Sequence, residues 1–326
     1  MIIFLTGASG FIGRHLAERL AREGHRVRCL VRPSSPVEHL KEMGVELVVG
    51  DVQDSEALRE GMRGCDWLFH LANLYEMWLP EPGLFQAVNV EGTRMVFEAA
   101  RQSGVGRVVY VSTAAVYGKP EEVPFREEAT HGKELFSAYA RTKAEGERIA
   151  WEFCARGMAI SVLYPGIVLG KGDDKASGKY IAGILGRRVP STIFNGSRAV
   201  YVHVADVVDA VCAAAERPEA AGQGYLVGGH CLDGREYAEL IAELGRVQLP
   251  IFRFPDAVVI LAAHLLTGLS NVTRRPPWWG LSVDAARTLH EGFVFDGSKA
   301  ERELGIRYRP IRQALEEAIS SYRVSG

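Results

Sequence analysis

Tyr139 and Lys143 stand four residues apart in the stretch Ser137-Ala138-Tyr139-Ala140-Arg141-Thr142-Lys143. Residues i and i+4 share one face of a helix, so a helix here points phenol and ammonium the same way. Ser137 is an N-cap type, and helical periodicity runs from Ala138 to Ala155 before Gly157. A free phenol, with a pKa of about 10, is a poor acid-base catalyst near neutrality, and a neighbouring ammonium favours phenolate. Ser112-Thr113 closes the β-type run Arg107 to Val111. A hydroxyl there can hydrogen-bond a substrate oxygen while a tyrosine moves the proton. Singly, each feature also suits an ordinary surface helix or a capped turn.

A glycine set comes first in the chain. Thr6-Gly7-Ala8-Ser9-Gly10-Phe11-Ile12-Gly13 follows the apolar run Met1 to Leu5 and precedes a helical pattern. Glycine lets a backbone turn tightly and lets N–H groups approach a ligand, and a helix N-terminus suits a pyrophosphate. The spacing is Gly-x-x-Gly-x-x-Gly rather than Gly-x-Gly-x-x-Gly.

Short β-rich runs position these residues. They lie at 26–31, 45–49, 66–71, 107–112 and 159–164, and helical stretches such as 55–62 and 83–103 separate them. Such alternation predicts βαβ units and a parallel sheet covered on both faces, with ligands beyond the carboxyl ends of the strands. The expected fold is α/β, a Rossmann-type doubly wound parallel sheet with a smaller, mostly helical C-terminal lobe. Residues 1–170 form the dinucleotide-binding part in this reading, with 204–227 returning to it, and 171–326 form mainly the substrate lobe. A strand is expected at Tyr225 to Gly229 and a closing amphipathic helix at Ile311 to Tyr322.

Composition narrows the classes. The chain has 326 residues, 47% hydrophobic and 24% charged, with a formal net charge of −2, so nothing suggests a nucleic-acid partner. Five dispersed cysteines without a CxxC pair suggest reduced thiols in the cytoplasm, and no metal site. The N-terminus does not read as a signal peptide. The apolar segment Ala257 to Leu266 reads as too short to span a bilayer and as a buried or groove-lining helix.

In series, these motifs resemble the extended short-chain dehydrogenases/reductases of the NAD(P)-dependent epimerase/dehydratase superfamily. The matching pieces are TGASGFIG at 6–13, GDV at 50–52, HLAN at 70–73, NVEGT at 89–93 and VSTAAVYG at 111–118. YARTK at 139–143, YPGIVLG at 164–170 and VHVADV at 202–207 continue the order, and 295–319 resembles the family's closing segment. The overall cast is similar to the dihydroflavonol-4-reductase-like branch.

The resemblance implies that Tyr139 is the acid/base, that Lys143 holds the nicotinamide ribose and lowers the tyrosine pKa, and that Thr113 orients the substrate oxygen. It also implies cofactor contacts from Gly7, Ser9, Gly10, Phe11, Ile12 and Gly13, from Asp51 and Val52, and from Leu71, Ala72 and Asn73. Ser112 and Pro165, Gly166, Ile167 and Val168 complete that set. Asn73 departs from the family, where a small residue is commoner. Many relatives dimerise through two long helices, which here are 83–103 and 138–155.

The end of the second expected strand reads Leu30-Val31-Arg32-Pro33-Ser34 and holds no acid. A carboxylate there binds the ribose hydroxyls of NAD and an arginine suits the 2′-phosphate of NADP, so NADP(H) is expected with Arg32, and Ser34 beside it, as ligands. The expected reaction is reduction of an aldehyde or ketone, or the reverse. The alternative is a nucleotide-sugar epimerase or dehydratase. Ala199-Val200-Tyr201 stands where sugar-nucleotide members often carry Arg-Asp-Phe, which argues modestly against that alternative. Phe252, Phe254, Val258, Ile260, Leu265, Leu266, Trp278 and Trp279 suggest an apolar lining for an apolar or aromatic small-molecule carbonyl substrate. A third reading, a cofactor-binding protein without turnover, fits an intact Thr113/Tyr139/Lys143 set poorly.

Overall fold

The computed structural model describes residues 1–324. Its first half alternates strand and helix: β1 (Ile2–Thr6), α1 (Phe11–Arg22), β2 (Arg26–Val31), α2 (Glu38–Glu42), β3 (Glu46–Val49), α3 (Ser55–Gly61) and β4 (Trp67–His70). A helix then starts at α4 (Gly83–Phe85), passes through a π-helical stretch at Gln86–Gly92 and continues as α5 (Thr93–Gln102). The single regular helix expected at 83–103 is thus interrupted by wider turns. β5 (Arg107–Val111), α6 (Ala138–Ala155) and β6 (Ile160–Pro165) follow. Beyond them lie β7 (Ile167–Leu169), α7 (Ala176–Leu185), β8 (Arg198–His203), α8 (Val204–Glu216), β9 (Gly224–Val227), β10 (His230–Asp233) and α9 (Gly234–Gly245). The chain closes with α10 (Asp256–Thr273), α11 (Val283–Glu291), α12 (Ser298–Leu304) and α13 (Ile311–Val324).

Seven strands form one parallel sheet in the order β3-β2-β1-β4-β5-β6-β9. Successive residues alternate between its faces. Ile3 and Leu5 join a core shared with Leu16 of α1 and Val207 and Val211 of α8, while Phe4 joins the opposite core with Leu58, Phe97 and Ile149. Both faces are therefore covered, as the near-continuous apolar strands require. Because all seven strands run the same way, the residues following β1, β2, β4, β5 and β6 share one edge. The strand order reverses between β1 and β4, and such a switch point opens a crevice at that edge.

A second sheet, β10-β8-β7, was not among the sequence expectations. β7 runs parallel to β8 from Ile167↔Tyr201, and β10 pairs antiparallel to β8 from His230↔Tyr201. The segment after Leu169 is accordingly not wholly helical. α10 also departs from expectation, because it extends to Thr273 and spans 18 residues, long and apolar enough by length and composition to cross a membrane. Only Val259, Ala263 and Ser270 of it are buried, so it is neither a short nor a buried helix.

Candidate functional site

The crevice begins at the glycine turn. Gly7 has φ +77°, and a Cβ there would meet the Ala72 nitrogen at 2.7 Å. A Cβ on Gly13 would stand 2.0 Å from the Gly7 carbonyl oxygen, which explains why strand and helix approach so closely. The Gly10 N–H donates to the Gly7 carbonyl at 3.0 Å, and Gly10 is the N-cap of α1 without any side-chain cap. The first amides of α1 are thus left for an anion, and the Ser112 hydroxyl on the same edge is buried with no partner among the described residues. These features fit a dinucleotide: a turn no side chain can fill, uncapped helix amides and an unspent buried hydroxyl.

The other expected contacts stand along that edge. Leu71 is buried and Ala72 half-buried, with the Ala72 N–H donating to Thr6 Oγ1 at 3.1 Å. Asn73 is exposed and folds its amide onto the Leu71 carbonyl at 2.9 Å. Asp51 accepts from Gln53 N–H at 3.2 Å, and Val52 is buried, in the place a Gly92 side chain would need. Pro165 is buried at the end of β6, and Gly166, Ile167 and Val168 are half-buried beside it. Ser9 and Ile12 are half-buried and Phe11 buried. Arg32 is exposed after β2, its guanidinium without a partner among the described residues, while its backbone N–H donates to Ser35 Oγ at 3.2 Å. Ser35 thereby shapes that turn.

α6 begins as its sequence predicts. Ser137 Oγ accepts from Ala140 N–H at 3.1 Å, and the Ala138 N–H donates to Asp284 Oδ2 at 2.7 Å, tying the helix start to α11. Tyr139 is 7% exposed, and the Tyr75 ring meets it edge-on at 4.9 Å. Burial, then Tyr75 and Tyr110, hold the Tyr139 phenol well above its ordinary pKa, while a hydrogen bond with Thr113 pulls it down. Thr113 is extended and half-buried, and its hydroxyl accepts from Ala115 N–H at 3.3 Å. The two hydroxyls thus meet beyond the end of β5.

Lys143 is held at the end of β5. Its ammonium donates to Tyr110 Oη at 2.9 Å and to the Val111 carbonyl at 2.8 Å, and lies 4.2 Å from the Tyr110 ring centroid. Burial lowers its pKa to about 7, against the upward pull of Glu147. Its ammonium thus sits between the Tyr110 phenol and the end of β5.

Behind Lys143 lies a polar layer that sequence reasoning did not pick out. His70 stacks on Tyr110 at 5.3 Å, with Nδ1 2.7 Å from Thr6 Oγ1 and Nε2 3.1 Å from Thr93 Oγ1. The Thr93 hydroxyl donates to the Asn89 carbonyl at 2.7 Å, so it accepts from His70 Nε2–H, and Nδ1 accepts from Thr6. That assignment requires a neutral ring, and burial does push the His70 pKa down to about 3. Asn89, on the π-helical stretch, donates to Thr142 Oγ1 at 3.1 Å and accepts from Leu74 N–H at 2.7 Å. It thereby pins the segment carrying Tyr75 against α6. Glu147 accepts from Tyr164 Oη at 2.7 Å and Trp151 Nε1 at 3.1 Å, joining α6 to β6. The readable signal is polar residues inside otherwise apolar runs: His70 in HLAN, and Asn89 and Thr93 in NVEGT.

A family model for the NAD dependent epimerase/dehydratase family matches residues 3–228. The chain belongs to this family. It is 30% identical over 331 residues to the 4-hydroxy-2-methyl-3-oxo-4-farnesyl-3,4-dihydroquinoline-1-oxide ketoreductase of Stigmatella aurantiaca, covering 100% of this chain and 98% of that protein. It is 28% identical over 330 residues to a candidate dihydroflavonol 4-reductase of Synechocystis, covering 99% and 95%. The UDP-glucose 4-epimerase of Thermotoga maritima shares the fold, with TM-score 0.80 at 22% identity over 100% of this chain and 99% of that one. The protein is an NAD(P)-dependent oxidoreductase of the extended short-chain type, similar to dihydroflavonol 4-reductase-like and ketoreductase proteins.

Proposed function

We propose that the enzyme reduces an aldehyde or ketone with NADPH, or oxidises the corresponding alcohol, using Thr113, Tyr139 and Lys143. The observation that carries this reading is the meeting of the Thr113 and Tyr139 hydroxyls beyond the end of β5, one helical turn from a buried Lys143. A bound nicotinamide supplies or accepts the hydride. Tyr139 holds the proton for the substrate oxygen, and its high pKa in this buried setting favours the protonated, donating form. Thr113 hydrogen-bonds the same oxygen as charge develops on it. Lys143, titrating near neutrality, turns between Tyr110 and the ribose hydroxyls and completes the proton path. The full-length relatives with reductase names support reduction over sugar epimerisation.

Arg32 sets the cofactor choice in this reading: an unpaired guanidinium beyond β2 takes the 2′-phosphate, and no acid stands there to select the free ribose hydroxyls. The test is a panel of apolar and aromatic carbonyl compounds with NADPH, followed by nicotinamide absorbance. Net oxidation that falls by about 10²–10⁴-fold in Tyr139→Phe is the expected result. Sugar-nucleotide interconversion without net NADPH loss overturns it in favour of an epimerase. In the same assay Arg32→Ala weakens NADPH binding and spares NADH; tighter binding of NADH by the wild type removes the cofactor assignment.

A further inference from the structure

Along one face of α10 the usual preference for burying apolar side chains is reversed. Val258, Leu261, Leu265, Leu269 and Val272 are exposed by 49%, 62%, 68%, 54% and 83%. Their spacings of 3, 4, 4 and 3 residues make a single stripe along the helix. Ile251 and Phe252 extend the apolar surface at one end, and Trp278 and Trp279, with rings 6.4 Å apart, extend it at the other. No Asp, Glu, Lys or Arg lies between residues 257 and 273. The polar groups on this face are occupied locally: His264 Nδ1 bonds the Ile260 carbonyl at 2.9 Å and Asn271 accepts from Trp78 Nε1 at 2.9 Å.

The opposite side of α10 is fastened to the protein. Val259 and Ala263 pack with Phe194 and Ala286, and Thr267 Oγ1 accepts from Val283 N–H at 2.9 Å. A helix fastened in this way has one side against protein and the other side free to meet a surface.

We propose that this face lies flat in the headgroup zone of an anionic lipid bilayer. Two observations select lipid over a second copy of the chain. First, the indoles cluster where the apolar stripe ends, and indole has an apolar body with a polar N–H that suits the membrane interface. Second, unpaired guanidinium groups stand at both ends of the stripe. Arg253 and Arg275 have no ion-pair partner among the described residues, and Arg274 reaches Glu81 at 3.4 Å. Of the rim carboxylates, Glu81 faces Arg274, and Asp256 stands 3.9 Å from His290 Nε2. Unpaired guanidinium groups complement anionic headgroups, whereas a second copy brings unpaired cations towards unpaired cations. The docking does not depend on which reaction the enzyme performs.

The experiment is flotation of the full-length chain with vesicles of equal parts phosphatidylglycerol and phosphatidylcholine, and with phosphatidylcholine alone. The expected result is flotation with the anionic vesicles, a blue-shifted tryptophan emission, and at least about tenfold weaker binding in Leu261→Asp/Leu265→Asp. Arg253→Gln/Arg275→Gln, at exposed unpaired positions, is expected to lose most of the preference for anionic over neutral vesicles, and it decides the matter if the first variant does not fold. Failure of the folded wild type to float with anionic vesicles overturns the proposal. So does a concentration-dependent dimer that Leu261→Asp/Leu265→Asp converts to monomer without any vesicle binding, because a second copy then covers the face.

Discussion

Helices α6 and α10 are both 18 residues long, and they treat water in opposite ways. α6 buries Thr142, Lys143 and Glu147 among partners: Lys143 two acceptors, Glu147 Oε1 two donors, and Thr142 the amide of Asn89, while Glu147 Oε2 has none among the described residues. α10 buries three residues and leaves its leucines outside. Burying a polar group is costly when it lacks a partner, so α6 can hold an ammonium inside only because the sheet end and the π-helical stretch bring partners to it. Exposing an apolar stripe carries a cost that only a covering surface removes. One helix is specified by contacts within the chain, and the other points outside it.

The sharpest way to break the α6 side of this contrast is at the cradle that precedes it. Alanine normally favours a helix over glycine by about 1 kcal/mol. At Gly13 the new Cβ would stand 2.0 Å from the Gly7 oxygen, so β1 and α1 must separate. Gly13→Ala is expected to destabilise the fold by about 3 kcal/mol and to abolish dinucleotide binding, read by urea unfolding and nicotinamide fluorescence. A variant that keeps its stability and binds NADPH normally contradicts the close approach that defines the cradle.

Next in size is the pH dependence of the buried cation. Lys143 has its pKa lowered to about 7 in the folded chain, against about 10.4 unfolded. Between these values the unfolded chain binds more protons, so the Lys143 contribution makes stability rise with pH across that window. Its penalty is fully present below about pH 7 and gone above the unfolded pKa. His70, lowered to about 3, adds a rise between roughly pH 3 and its unfolded value near 6.5. Lys143→Met is therefore expected to remove a few kcal/mol of pH-dependent difference between pH 7 and 9.5, measured by urea unfolding at each pH. A wild type and variant with parallel profiles would mean that Lys143 is not desolvated as described.

The same contrast explains what could be read in advance. β1, β5 and β6 are largely apolar on both faces and bounded by turns, and α6 carries its own cap at Ser137, so their period and punctuation are legible. β7 and β10 are three and four residues long, and their pairing with β8 is set by tertiary contact that no local period records. His70, Asn89 and Thr93 were visible as polar residues within apolar runs, yet their role depends on which strands become neighbours. For α10 the composition was readable and the exposure was not. A uniformly apolar helix reads as core, and only the packed structure reveals that most of its circumference faces out.

The smallest expected effect tests the α10 side directly. Leu163, in β6, is completely buried, and Leu163→Ala is expected to cost about 2–5 kcal/mol through lost contacts and a residual cavity. Leu265 is 68% exposed, so Leu265→Glu is expected to change stability by no more than about 0.5 kcal/mol in lipid-free solution. Both are read by urea unfolding at low and high protein concentration. A Leu265→Glu cost above about 1 kcal/mol that grows with concentration would mean a second copy shields the stripe in solution. A near-zero cost at every concentration leaves α10 as a face whose leucines add nothing to the isolated fold, and whose sequence must be explained by what the enzyme meets outside itself.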